Sequence, residues 1–93
     1  MIRSFAGRPT AVVWSGRRSR RLPVDIQAAA LRKLRMLNNA RWLEDLQVPP
    51  GNRLEALSGD RAGQHSIRIN QQWRICFRWT DGGPSDVEIV DYH

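Results

Sequence analysis

At 93 residues the chain has room for one hydrophobic core and two packed layers of secondary structure, so residues 1–93 are read as a single domain. The formal net charge of +6 and the sequence pI of 11.2 point to a polyanionic partner. All but one of the 15 cationic residues, Lys33, are arginine, whose planar guanidinium suits paired contact with phosphate better than an ammonium does.

Ile2 and Phe5 flank two polar residues in a short segment with strand character, ended by Gly7, Arg8 and Pro9. From Thr10, the run Ala11, Val12, Val13 and Trp14 reads as a short helix leading through Ser15 and Gly16 into a basic tail, Arg17, Arg18, Ser19, Arg20 and Arg21. Pro23 suits a helix start and Asp25 complements the positive end of its dipole. Ile26, Ala30, Leu34 and Leu37 recur at helical spacing, which predicts a helix over 24–37. Gln27, Arg32, Lys33 and Arg35 fall on its polar side, and Asn38 and Asn39 suit its end. A helical turn is expected over 42–46, after which Pro49, Pro50, Gly51 and Asn52 break the chain.

Beyond that break the periodicity is that of strands. Residues 53–57 alternate polar and apolar, and 58–63 form a turn. Ile67 and Ile69 then share one face, with Ser66, Arg68 and Asn70 on the other. Trp73, Ile75, Phe77 and Trp79 share the apolar face of the next strand and leave Arg74, Cys76 and Arg78 opposite. Gln71 and Gln72 connect these strands, and 81–84 turns the chain into Val87, Glu88, Ile89 and Val90. The expected architecture is α+β: N-terminal helices packed on one face of a mainly antiparallel sheet of three consecutive strands. The other face should be solvated and carry Arg68, Arg74 and Arg78, a surface for nucleic acid. Trp14, Trp42, Trp73 and Trp79 are expected as core anchors.

Several function classes receive no support. The first five residues lack the apolar centre of a signal peptide, and no apolar run approaches the roughly 18 residues of a membrane span, so a soluble, cytoplasmic protein without membrane contact is expected. Cys76 lies between Ile75 and Phe77 and reads as a small strand residue. Two histidines and this cysteine are scattered without ligand spacing, so no metal or other cofactor is expected. His65 reads as a turn or strand-edge residue.

The apolar run 87–90 ends in Asp91, Tyr92 and His93: an acid, a phenol and an imidazole. Cutting RNA with its own 2′-hydroxyl requires one group to take that proton, a cation to hold the phosphoryl oxygens, and another group to protonate the leaving 5′-oxygen. Imidazole, carboxylate and guanidinium divide those tasks. A terminal histidine alone is more often frayed; its place directly after an apolar run is what suggests an anchored position.

The strand motifs at 52–57, Gly59-Asp60-Arg61 with Gly63, 66–70, Gln72-Trp73-Arg74-Ile75 and Asp91-Tyr92-His93 together resemble the HigB-type toxins of the RelE superfamily, plasmid-maintenance killer proteins. The resemblance runs from Ile2 through Arg32-Lys33-Leu34 to His93. It implies a RelE-like fold and a metal-independent endoribonuclease that cuts messenger RNA in the ribosomal A site. It also implies a HigA-like antitoxin with a helix-turn-helix domain, through which alone the toxin would reach operator DNA. Carried over to this chain, it puts His93 and Asp91 in proton transfer, Arg74 on the scissile phosphate, Gln72 near the substrate, and Tyr92 against a base or the imidazole. Many relatives carry a lysine just before the Gly-Asp-Arg turn, where this chain has Ser58, and Arg61 or Arg53 are the candidates to replace that cation. Arg68 and Arg78 are divided between phosphate contact and plain solubility.

Two other classes remain open. One is a ParE-like toxin that binds DNA gyrase without cutting RNA, and the other a basic RNA- or ribosome-binding module. Messages cut in cells, against broken DNA or unimpaired growth, separate the three.

Overall fold

Gly7 and Pro9 decide where the first helix begins. Gly7 holds φ at 92°, a left-handed value that glycine adopts without a Cβ penalty, and Pro9 lies in the first turn, where its missing N–H costs nothing. In this computed structural model, which describes residues 1–92, α1 accordingly spans Arg8–Trp14 and α2 spans Val24–Asn39. The second helix extends two residues past the predicted 24–37, because the side-chain oxygen of Asn38 accepts a hydrogen bond from the Ile2 N–H (2.9 Å) and draws the last turn into the structure. A 3-10 turn at Leu43–Gln47 meets the expectation at 42–46 within one residue, and a second at Pro50–Asn52 ends the helical half.

Among the described residues the sheet has four strands, β1 (Glu55–Ala56), β2 (His65–Arg68), β3 (Trp73–Thr80) and β4 (Gly83–Asp91), antiparallel throughout in the order β1-β2-β3-β4. The three expected strands are present, and the alternating stretch at 53–57 supplies a fourth, two residues long. The connection before β3 is held by Asn70, whose side-chain oxygen accepts from the N–H groups of Gln72 and Trp73, both at 2.8 Å. The turn after β3 is shorter than 81–84. Only Asp81 and Gly82 lie outside the ladder, and Pro84 sits inside β4, which as an edge strand tolerates a residue without an N–H.

The first residues form no strand. They run beside β4, meeting it in a single bridge between Phe5 and Val87 and in hydrogen bonds from Arg3 N–H to the Pro84 carbonyl and from Val87 N–H to that of Ser4. A register shift between Cys76 and Arg78, with Asp86 at φ 51°, bends β4 there and limits the pairing.

The core lies between the helices and one face of the sheet. Ala30, Leu34 and Leu37 of α2 and Val13 of α1 meet Ile67, Ile75, Phe77, Val87 and Ile89, with Leu46 closing one end. Each fully buried leucine contributes roughly 1.5–3 kcal/mol through surface removed from water. Thr10 of α1 ties the layers together by accepting the Ile89 N–H at 2.9 Å. Trp14, Trp73 and Trp79 pack against this core, but Trp42 is 65% exposed: it stands in extended conformation before the 3-10 turn and presents its ring to solvent.

The second sheet face is not the open basic surface that alternation predicts. Ser66 and Cys76 are fully buried there and Arg74 is 9% exposed. The reason is β1, which continues the sheet and brings Glu55 and the Arg53 carbonyl onto Arg74. Arg78 is exposed and paired with Asp86 at 3.6 Å, and Arg68 is half-buried with its Nε donating to the Asn70 carbonyl.

Candidate active site

Residues opposite one another in an antiparallel ladder point to the same side. Glu55 is opposite Ser66, Ser66 opposite Cys76, and Cys76 opposite Glu88; one step along, Arg68 is opposite Arg74 and Arg74 opposite Val90. These residues therefore share the face turned away from the helices. Asp91 is opposite Trp73 and belongs by register to the other side.

Arg74 is the centre of the face. Its Nε donates to Ser66 Oγ (2.8 Å), one Nη to the Arg53 carbonyl (2.6 Å), and the other stands 3.5 Å from Glu55 Oε1. Arg53 can offer its carbonyl because its backbone takes the left-handed region, φ 46°, at the end of a 3-10 turn. The Tyr92 ring lies 5.4 Å from the Arg74 guanidinium carbon, a cation–π contact. Tyr92 is itself placed by a hydrogen bond from its N–H to the Gln72 carbonyl, 2.7 Å.

A cleft of about 320 Å³ opens beside this cluster, lined by Glu55, Ser58, Asp60, Arg61 and Tyr92 among others. The 3-10 turn Gly59–Arg61, for which Gly59 takes φ 62°, carries Asp60 and Arg61 into it. Arg61 is held by Gln64 Oε1 at 3.0 Å and Glu88 Oε1 at 3.2 Å, so its charge is positioned at the wall. Cys76 lies beneath. Burial pushes its thiol above the ordinary value, and the charges of Arg61, Glu88, Arg74 and Glu55 act on it in turn.

Of the residues singled out in the sequence, the structure brings together Arg74, Tyr92, Arg61 and the Arg53 carbonyl, with Ser58 on the rim. Asp91 stands apart on the opposite side of β4, where both its oxygens take hydrogen bonds from Gln72 Nε2 at 3.2 Å. Arg68 shares the Arg74 face at the end of β2, and Arg78 sits at the far end of β3. His93 lies outside the described residues. His65 is in β2, stacked on Phe77 at 6.3 Å between ring centroids, with a buried Nδ1 that has no hydrogen-bond partner.

Glu55 is the site residue that alternation did not reveal. In the sequence it is one acid in a polar-apolar stretch; only the pairing of β1 with β2 sets it against Arg74. The arrangement offers a carboxylate, a fixed guanidinium and a phenol around a space open to a polymer, the groups a phosphodiester transfer uses.

The model of the HigB-like toxin family, described as the RelE-like toxin of type II toxin-antitoxin system HigB, matches residues 13–93. The chain belongs to this family. Toxin HigB-1 of Vibrio cholerae is 47% identical over 66 residues, covering 71% of this chain and 70% of the relative. An uncharacterized protein of Haemophilus influenzae is 31% identical over 69 residues, covering 74% and 68%. Endoribonuclease HigB of Proteus vulgaris is 39% identical over 41 residues, covering 44% and 45%. As a HigB-like toxin of a type II system the protein has an antitoxin as its partner. The α+β fold is the one expected of a RelE-like toxin, and among the described residues no helix is long and apolar enough to cross a membrane.

Proposed function

We propose that this HigB-like toxin is a single-domain endoribonuclease that cuts messenger RNA on the ribosome, in the A site, and so stops translation. The observation that carries the reading is the cluster of Glu55, Arg74 and Tyr92 at the cleft, in a chain whose Proteus relative is named an endoribonuclease. Attack of a 2′-hydroxyl on the adjacent phosphate breaks the bond to the 5′-oxygen and leaves a 2′,3′-cyclic phosphate and a 5′-hydroxyl. A base takes the 2′-proton, and an acid protonates the leaving oxygen. His93 and Asp91 are the residues read for these two tasks from the sequence, and Glu55 joins them as the carboxylate inside the cleft. Arg74 and Arg61 hold the charge that grows on the phosphoryl oxygens, and Tyr92 stacks on a base or orients the imidazole. Gln72, Arg68, Arg78 and Arg53 flank the path of the strand.

One proton-transfer residue contributes about 10²–10⁴-fold, so the small set of groups here relies on the ribosome to align the 2′-oxygen with the phosphate. The partner is a HigA-like antitoxin with a helix-turn-helix domain, which carries the toxin to operator DNA, and the toxin works in the cytoplasm. Expressing the chain alone in a bacterial host, with message 5′ ends mapped against a His93→Ala control, tests the reading. Cuts at fixed positions within codons, present only with the intact chain, support it; arrested growth with intact messages overturns it.

A further inference from the structure

Five arginines, Arg8, Arg17, Arg18, Arg20 and Arg21, line a groove of about 560 Å³ between the start of α1 and the loop that follows it. All five are exposed, and none of them joins an ion pair among the described residues, whereas Arg61, Arg74 and Arg78 each face a carboxylate. The groove contains no acid. It lies in the helical layer, across the sheet from the cleft, so it plays no part in holding the scissile phosphate.

The loop is built, not a loose basic tail. Gln27, buried on α2, accepts a hydrogen bond from the Ser19 N–H (2.9 Å) and donates to the carbonyls of Ser19 (2.8 Å) and Leu22 (2.9 Å). Ser19, 4% exposed, turns its hydroxyl oxygen to the Arg21 N–H at 3.1 Å. One buried amide thus fixes the backbone that displays four of the guanidiniums, and the cost of ordering that loop is met before any partner arrives. A docked peptide would want a deep apolar anchor, but the floor offers only the half-buried Pro9 and Val12. Phosphates need charge and N–H donors alone.

We propose that this groove is a second RNA-binding site, which takes the sugar-phosphate backbone of folded RNA without reading its bases. It rests on the ribonuclease reading only in that RNA is the polyanion the protein meets. A strand engaged in the cleft and a folded RNA held by the helical layer can then be bound at once, on opposite sides of the molecule.

The test is fluorescence anisotropy with a short RNA duplex across a range of KCl concentrations, using His93→Ala as the parent so that nothing is cut. Replacing Arg17, Arg18, Arg20 and Arg21 with alanine should weaken binding and flatten the log–log salt slope by about 0.9 per lost contact, about 3 to 4 in all. Gln27→Leu should weaken binding with every arginine present. Should the fourfold variant fail to fold, Arg20→Glu alone must still weaken binding. Unchanged affinity and slope overturn the proposal, as does a dependence on these arginines for binding polyglutamate but not the duplex. Duplex binding that survives where message cutting is never found refutes the ribonuclease reading and leaves the groove intact.

Discussion

The carboxylate of Glu55 stands 3.5 Å from the guanidinium of Arg74, on the sheet face that Asp91 does not share. Two acids were thus available to the site, and register separates them. The consequence is a specific division of labour that mutation can check.

Glu55→Gln keeps the shape of the side chain and removes the carboxylate that joins His93 and Asp91 as a proton-transfer group in the proposed reaction. Cleavage should fall by about 10²–10⁴-fold. Stability should hardly move, because an ion pair with one exposed partner contributes only about 0–1 kcal/mol. The pairing of 5′-end mapping with a thermal melt separates the two effects, and full cutting by the variant would leave proton transfer to His93 and Asp91.

Arg74 cannot be removed so cleanly. Arg74→Ala takes the donor from the buried Ser66 hydroxyl and from the partly buried Arg53 carbonyl, a loss of about 1–3 kcal/mol that urea titration should detect. Arg74→Lys keeps the charge but loses the fork, so it should cut far less than the parent at a smaller loss of stability.

Tyr92→Phe preserves the ring over Arg74, while Tyr92→Ala abolishes the contact, about 0.5–1 kcal/mol at an exposed position. The phenylalanine variant should cut within a few-fold of the parent in mapped messages. Equal loss in both variants would show that the hydroxyl itself acts.

Asn52 is fully buried, accepts from Lys33 Nζ and donates to the carbonyls of Leu46 (3.1 Å) and Val48 (3.4 Å). Burial and then the neighbouring Arg32 lower the pKa of Lys33 from its ordinary value, and the Asn52 oxygen accepts a hydrogen bond from its amine. Asn52→Ala should cost about 1–3 kcal/mol or slightly more in urea titration, with no direct effect on the cleft. A neutral result would mean that water replaces all three bonds.

Cys76 ties stability to alkaline pH. Its folded value is raised above the ordinary 9.0, chiefly by burial, so its contribution is present below that pH. As pH rises past 9.0 the unfolded thiol ionises while the folded one resists, and stability is lost. The stability gap between the parent and Cys76→Ala should therefore narrow above that point, and iodoacetamide should label the thiol only on unfolding. Rapid labelling of the native protein would contradict the burial.

What the sequence determined by itself was whatever depends on neighbours along the chain. The 3.6-residue repeat of Ile26, Ala30, Leu34 and Leu37 specifies α2, the two-residue repeat of Ile75 and Phe77 specifies β3, and the turn residues place the breaks. The spaced motifs ending in Asp91, Tyr92 and His93 were sufficient to place the chain among HigB-like toxins. What only the tertiary structure decided was which side chains meet across strands. A two-residue strand carries no periodicity of its own, yet β1 buries Arg74, turns an expected solvated face into a lined cleft and sets Glu55 in it. Register then sends Asp91 to the other side, because one residue of displacement along a strand reverses the face its side chain occupies. Likewise the charge of Arg17 to Arg21 is plain in the sequence, but its fixed display depends on Gln27 reaching across from α2, a contact between residues that no local pattern connects.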